Sequence, residues 1–154
     1  MAADGKIYRL PQMNVATFSA FDLHVDTDEG LVWDLGNYHK VYTNSGLRLS
    51  LSSDARIFTS SEECCKFTFA INNVECSTPG PIEGIVSVNV YINLHRPILI
   101  EGICEEIPAG DVNLSVHVGK CKDQLSVGDC FFGWESSIHA MASEVYAERE
   151  IISF

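Results

Sequence analysis

Half of this chain's six cysteines fall within residues 62–76, which read EECCKFTFAINNVEC. After the cysteine pair the stretch alternates apolar and polar residues, as a half-buried strand does. Neighbours in a strand point to opposite faces, so Cys64 and Cys65 do not readily share a partner or bond each other. One is expected to reach within its own sheet and the other elsewhere. Asn72-Asn73 interrupts the run, and both residues tolerate positive φ, so a tight hairpin is expected, with Cys76 on the return strand. Cys104, Cys121 and Cys130 complete the set of disulfide candidates. Six cysteines admit many pairings, and the sequence does not choose among them. No C-x-x-C occurs, so the spacing does not suit a zinc site. On composition alone, bridges and inert buried thiols both remain open.

The same two-residue period recurs along the chain. Leu47-Arg48-Leu49-Ser50-Leu51 places its leucines on one face. Val86-Ser87-Val88-Asn89-Val90-Tyr91-Ile92-Asn93-Leu94 and Val112-Asn113-Leu114-Ser115-Val116-His117-Val118 do likewise with β-branched residues, and each reads as one strand. Turn signals separate the strands at Asp28-Glu29-Gly30, Pro79-Gly80-Pro81 and Pro108-Ala109-Gly110. Many short strands with regular turns predict an all-β fold, a two-sheet antiparallel β-sandwich or jelly roll. Towards the end, Ile138, Met141, Ala142, Val145 and Tyr146 fit a helical face, while Ile138, Ala140 and Ala142 fit a strand. We read a strand to about Met141, then a short C-terminal arm or helix. The length of 154 residues predicts a single globular domain over residues 1–154, with residues 1–10 and 145–154 as arms.

Charge and motifs narrow the function. Acidic side chains outnumber basic ones, 21 to 10, for a net charge of −11. A basic stripe that would follow a phosphate backbone is missing, so nucleic acid is not an expected partner. Anionic membrane surfaces are disfavoured for the same reason, and no apolar run is long enough to insert in a bilayer. Met1-Ala2-Ala3-Asp4 is not followed by the apolar segment of a signal peptide. There is no G-x-S-x-G, no H-E-x-x-H and no phosphate-cradling glycine loop, so an enzyme is not expected.

Of the scattered histidines, His95 follows a strong strand, and His95-Arg96 is a candidate ligand-facing edge; a structural hydrogen bond is the plainer reading. Asp22, His24, Asp26, Asp28 and Glu29 lie close together, making Asp26 and Asp28 weak calcium candidates. The EF-hand pattern fails, however, and a solvated hairpin tip explains them more simply. No other cofactor is expected.

One longer pattern adds to this reading. Cys64-Cys65-Lys66-Phe67-Thr68-Phe69-Ala70-Ile71-Asn72-Asn73-Val74-Glu75-Cys76 resembles the globular C-terminal domain of the collagen triple helix repeat-containing protein family. The likeness continues through Pro79-Gly80-Pro81-Ile82-Glu83-Gly84-Ile85, Ile92-Asn93-Leu94-His95-Arg96 and Glu101-Gly102-Ile103-Cys104-Glu105. It runs on through Ile107-Pro108-Ala109-Gly110, Val118-Gly119-Lys120-Cys121, Gly128-Asp129 and Gly133-Trp134, covering about residues 33–144. The chain departs from the family in several places. Two family cysteines have no counterpart, and near Ile57-Phe58-Thr59 the chain carries none. Cys130 stands where the family has a small residue, so family pairings cannot be copied. The family's glycosylation sequon is lost at Asn89, leaving Asn113-Leu114-Ser115, mid-strand, as a poor acceptor.

The resemblance implies a jelly roll similar to the heads of complement component one q and tumour necrosis factor. It implies a secreted, extracellular-matrix module with disulfides rather than free thiols. It further implies a homotrimer that binds an extracellular protein, with Wnt signalling at the cell surface as the class of activity. Trimers of this kind join through an apolar seam, for which Phe131, Phe132 and Trp134 are candidates, with core packing as the equal alternative. A carbohydrate-binding lectin is the second reading, with Tyr38, Tyr42, Tyr91 and Trp134 as the rings to test.

Overall fold

The computed structural model describes residues 6–7, 12–60, 62–121, 128–146 and 150–151. Thirteen strands occur, and no helix is present among the described residues. They are β1 (Lys6–Ile7), β2 (Gln12–Phe21), β3 (Val25–Asp26), β4 (Gly30–Lys40), β5 (Ser45–Thr59), β6 (Glu63–Ile71) and β7 (Val74–Glu75). After these come β8 (Glu83–Val88), β9 (Ile92–Cys104), β10 (Gly110–Gly119), β11 (Asp129–Phe132), β12 (Ser137–Tyr146) and β13 (Glu150–Ile151).

Eight long strands form two antiparallel layers. The first runs β2-β12-β5-β9 and the second β4-β10-β6-β8. The chain crosses between the layers at every connection of these strands except that from β6 to β8, in two nested Greek keys, which is a jelly roll. β5 spans the whole first layer. Its early half pairs with β12, its later half with the short β11-β3 extension, and its other edge with β9 from Leu47↔Cys104 to Thr59↔Ile92.

The core follows from the pleat. Leu47, Leu49, Leu51, Ala55 and Ile57 on β5 face inward and are buried. Phe67 and Phe69 on β6 and Val112, Leu114, Val116 and Val118 on β10 meet them from the second layer. Burying each large apolar side chain contributes about 1.5–3 kcal/mol. Phe67 packs on Phe132 across the layers with ring centroids 5.6 Å apart. At the open edge the layers approach so closely that glycine is required. A Cβ at Gly84 would lie 2.9 Å from Ile100, and one at Gly102 would lie 2.9 Å from Ile82.

All six cysteines are paired. Cys64–Cys121 lies along the second layer, while Cys65–Cys130 and Cys76–Cys104 cross from one layer to the other. The vicinal pair therefore divides as strand geometry requires, Cys65 inward and Cys64 to the other face. The Asn72-Asn73 hairpin forms with φ of 52° and 62°, as a two-residue turn between twisted strands demands.

Two expectations are corrected. The run from Val86 to Leu94 is not one strand. It breaks at Asn89-Val90-Tyr91, where the chain leaves β6's layer and joins β5's. Alternation persists through the crossing because it reports the pleat of two strands that happen to be in phase, so Val90 and Tyr91 end up exposed. The last long strand does not stop at Met141 to become an arm or helix. β12 continues to Tyr146, with a register shift between Ala142 and Glu144. Of the expected arms, residues 1–5, 8–10, 147–149 and 152–154 lie outside the described residues.

Candidate functional site

β2 ends at Phe21, and the chain turns through Asp22-Leu23-His24 with φ of 51° at Asp22 and 52° at His24. Asp and His are among the non-glycine residues that most often accept this left-handed conformation. The turn is laced to the loop before β12. Asp22 N donates to Ser136 O at 3.0 Å, His24 N to Gly133 O at 3.2 Å, and Glu135 N to Asp22 Oδ1 at 3.0 Å. Gly133 N in turn donates to Asp54 O on β5 at 3.0 Å. Gly133 has φ of 73°, and a Cβ there would come within 2.6 Å of Ile138. These constraints present Trp134 outward, 37% exposed.

Three rings gather around it. Trp134 lies 5.0 Å from His24, 5.2 Å from Phe131 and 5.7 Å from His95, and His24 meets Phe131 edge-on at 4.8 Å. Each imidazole is held by a carboxylate: His24 Nδ1 lies 3.4 Å from Asp22 Oδ1, and His95 Nδ1 lies 3.2 Å from Asp54 Oδ2. A neutral imidazole that donates from Nδ1 carries its lone pair at Nε2. The cluster thus combines aromatic faces, two imidazoles and the two carboxylates beside them.

The residues singled out from sequence separate here. His95 and Trp134 belong to the cluster. Arg96 does not: it is the next residue on β9 and points to the opposite face, beside Pro97, Ile98 and Val88. Phe131 is buried beneath Trp134 and His24, and Phe132 is fully buried in the core, so neither offers a seam to a second chain. Tyr38 is likewise buried. Asp26 and Asp28 approach Asp129 with carboxylate oxygens within 4.8 Å of one another. Asp28 Oδ1 already accepts from Cys130 N at 2.9 Å. Burial pushes the Asp129 carboxyl up; Arg56 opposes this, and Asp26, Asp28 and Glu63 add to it. With one oxygen from each, three carboxylates supply fewer than the six to eight oxygens calcium takes, so any such ion would need further ligands. Asn113 sits mid-strand on β10 with its amide donating to Asp34 at 3.3 Å.

Sequence reasoning missed a second polar cluster at the other end of β5. Glu144 is fully buried and accepts from Val41 N at 3.0 Å, Tyr42 N at 2.8 Å, Ser45 Oγ at 2.8 Å and the Asn14 amide. Lys40, also fully buried, places Nζ 3.9 Å from Glu144 and donates to Tyr42 O. Tyr38 Oη donates to Asn14 O at 2.6 Å. Burial alone would raise the Glu144 carboxyl, but its four donors overcome this and hold it below the ordinary value. Burial lowers the Lys40 ammonium against the pull of Glu144. Burial, and then Glu144, pushes the Tyr38 phenol up to about 12. No local pattern announces this cluster, because its partners are about a hundred residues apart in sequence.

Known proteins place the chain. Residues 12–141 match the family described as CTHRC1, C-terminal domain, reaching further towards the start than Trp33. Among solved structures, dimeric latent PorU from Porphyromonas gingivalis aligns at 9% identity and TM-score 0.41, over 94% of this chain and 14% of its own. The globular domain of zebrafish complement 1qA aligns at 7% identity and TM-score 0.34, covering 75% of this chain and 72% of that one. Eiger TNF from S. frugiperda aligns at 11% identity and TM-score 0.34, covering 97% and 96%. The family match spans most of the jelly roll, including β2, all six cysteines and the Trp134 loop, and the chain belongs to the CTHRC1 C-terminal domain family.

Proposed function

We propose that the chain is a non-catalytic, secreted recognition module that forms a homotrimer and binds an extracellular protein. The class of partner is the cell-surface, Wnt-signalling kind that the family resemblance implies. On this reading residues 1–154 act as one globular domain. Three disulfides support an oxidising compartment.

The observation that carries the proposal is the outer face of the first layer. Beside β5, this face shows Val15, Thr17, Ser19 and Phe21 from β2, and Ser137, His139 and Met141 from β12. Ser50 and Ser52 from β5 and Leu99 from β9 continue it. Phe21 is 72% exposed, Leu99 73% and Met141 42%. The charged pair across it, Arg48 and Glu101, is bonded to itself at 2.7 Å. A protein of net charge −11 thus keeps much of one broad sheet face free of unpaired charge, with Asp54 and Arg56 standing at its far end. Depletion of charge with exposed apolar anchors is the mark of an interface core. A closed rotational assembly would cover it in every copy and leave the Trp134 cluster at its margin.

Light scattering at micromolar concentration tests assembly. Three chain masses are expected, with Met141→Glu yielding a folded monomer; a stable wild-type monomer rejects the trimer. Alkylation of natively purified protein without reductant should leave the mass unchanged, and labelling of all six thiols would reject secretion. The lectin reading keeps one observation in its favour, the exposed Trp134 beside His95 and Asp54. Sugar-inhibitable signals on a glycan array would support it, and a blank array favours a protein ligand.

A further inference from the structure

The aromatic cluster around Trp134 invites a more specific assignment, which rests on the protein-ligand reading above. We propose that it is a receptor for a guanidinium group, the side chain of an exposed arginine on the partner protein. The face shows how it holds such a group internally. Arg56, cross-strand neighbour of both His95 and Phe131, turns its guanidinium over Phe58 at 5.6 Å. There it donates from Nε to Asn93 Oδ1 at 2.7 Å, and Tyr91 closes the edge of Phe58 with ring centroids 5.8 Å apart. One aromatic ring, one oxygen acceptor and a second ring at the edge make that site.

The Trp134 cluster repeats these parts and lacks the cation. Trp134 supplies the face, Phe131 and His95 meet it edge-on, His24 lies tilted against it at 31°, and the Asp22 and Asp54 carboxylates supply the acceptors. Among the described residues, the cation–ring stack on this face is the one at Phe58. The local charge suits a positive guest. Asp22 and Asp54 stand directly behind the two imidazoles. Glu135 follows Trp134, and Asp26, Asp28 and Asp129 lie further along the same strands. Against these carboxylates stands Arg56, already engaged. A cation over a tryptophan face is the strongest of the aromatic pairings, and a planar guanidinium can stack while its edge donates to acceptors. A neutral sugar would gain from the ring and could donate hydroxyls to the carboxylates, but would gain nothing from their charge.

The test titrates protein labelled with nitrogen-15 with arginine amide, the neutral isostere citrulline amide, and methyl glycosides. It follows the indole N–H signal of Trp134, with Trp33 as internal reference. Arginine amide is expected to shift the Trp134 signal saturably, with a dissociation constant on the order of 10 mM or tighter. The citrulline compound should leave it in place. Asp54→Asn should weaken the arginine response several-fold, and Trp134→Ala should abolish binding while leaving the Trp33 signal at its folded position. Equal responses to arginine and citrulline overturn the proposal, as does no response to arginine. A response to glycosides alone overturns it in favour of the lectin. Light scattering reads assembly separately, so loss of the trimer with the arginine response intact faults the broader reading and leaves this one standing.

Discussion

The two ends of β5 carry polar clusters built from similar parts and finished differently. Near Leu47, Glu144 and Lys40 are fully buried, and the carboxylate of Glu144 is filled by donors from three segments. Near Asp54, roughly 23 Å away along the strand, His24, His95 and Trp134 reach solvent. Each end is braced by a bridge between layers: Cys104 pairs with Leu47 across the sheet, and Cys130 precedes Phe131. Saturation distinguishes them. A cluster whose hydrogen-bonding capacity is spent internally holds the fold together, whereas one with capacity left over can meet a partner.

Removing Glu144 should break the comparison most forcefully. Glu144→Ala leaves the buried Lys40 ammonium without its counter-charge, and a loss of about 3–5 kcal/mol is expected in urea unfolding. Pairing Glu144→Leu with Lys40→Met should recover only the part due to the lone ammonium, because the donors at Val41, Tyr42, Ser45 and Asn14 stay unpaired. A single-variant loss below about 1 kcal/mol would mean the buried cluster is not structural. Next in size is the bridge at the exposed end. Replacing Cys65 and Cys130 together by alanine releases a constraint across 65 residues and should cost about 4 kcal/mol, read by the same unfolding curves.

Acid sharpens the contrast between the ends. The Glu144 carboxyl is held down in the folded protein, while in the unfolded chain it takes a proton near pH 4.3 or so. Its contribution is therefore complete above that pH and is lost as pH falls through the lower folded value. The stability difference between wild type and Glu144→Gln should be flat near neutrality and shrink below about pH 4. A difference independent of pH would assign the effect to packing. The smallest expected effect is at the exposed end. Trp134→Ala should change the unfolding free energy by no more than about 1 kcal/mol, because the ring is only partly covered. A loss of several kcal/mol would make both clusters structural and erase the distinction.

Much of the fold was legible in local sequence. Alternation in Leu47-Arg48-Leu49-Ser50-Leu51 and from Val112 to Val118 predicted which residues are buried, and the opposed faces of Cys64 and Cys65 predicted divergent bridges. The pairing itself was not legible, since it depends on which strands the Greek keys bring together. The run from Val86 to Leu94 misled because a crossing between layers preserved the phase of its pattern. For the site, His95 and Trp134 were accessible as an aromatic and a histidine next to strong strand signals. Their union with His24 was not, because His24, His95 and Trp134 lie in separate loops and strands with no periodic relation. The buried Lys40 and Glu144 were equally silent, since charged residues in strands ordinarily face water.

The two neighbouring sulfurs on β6 have a consequence for how the molecule matures. Sliding that strand by a single position would exchange inside for outside, swinging Cys65 away from Cys130 and Cys64 away from Cys121. Oxidation therefore acts as a proofreader: only the correctly threaded β6 can be sealed on both sides at once, and once sealed it cannot creep.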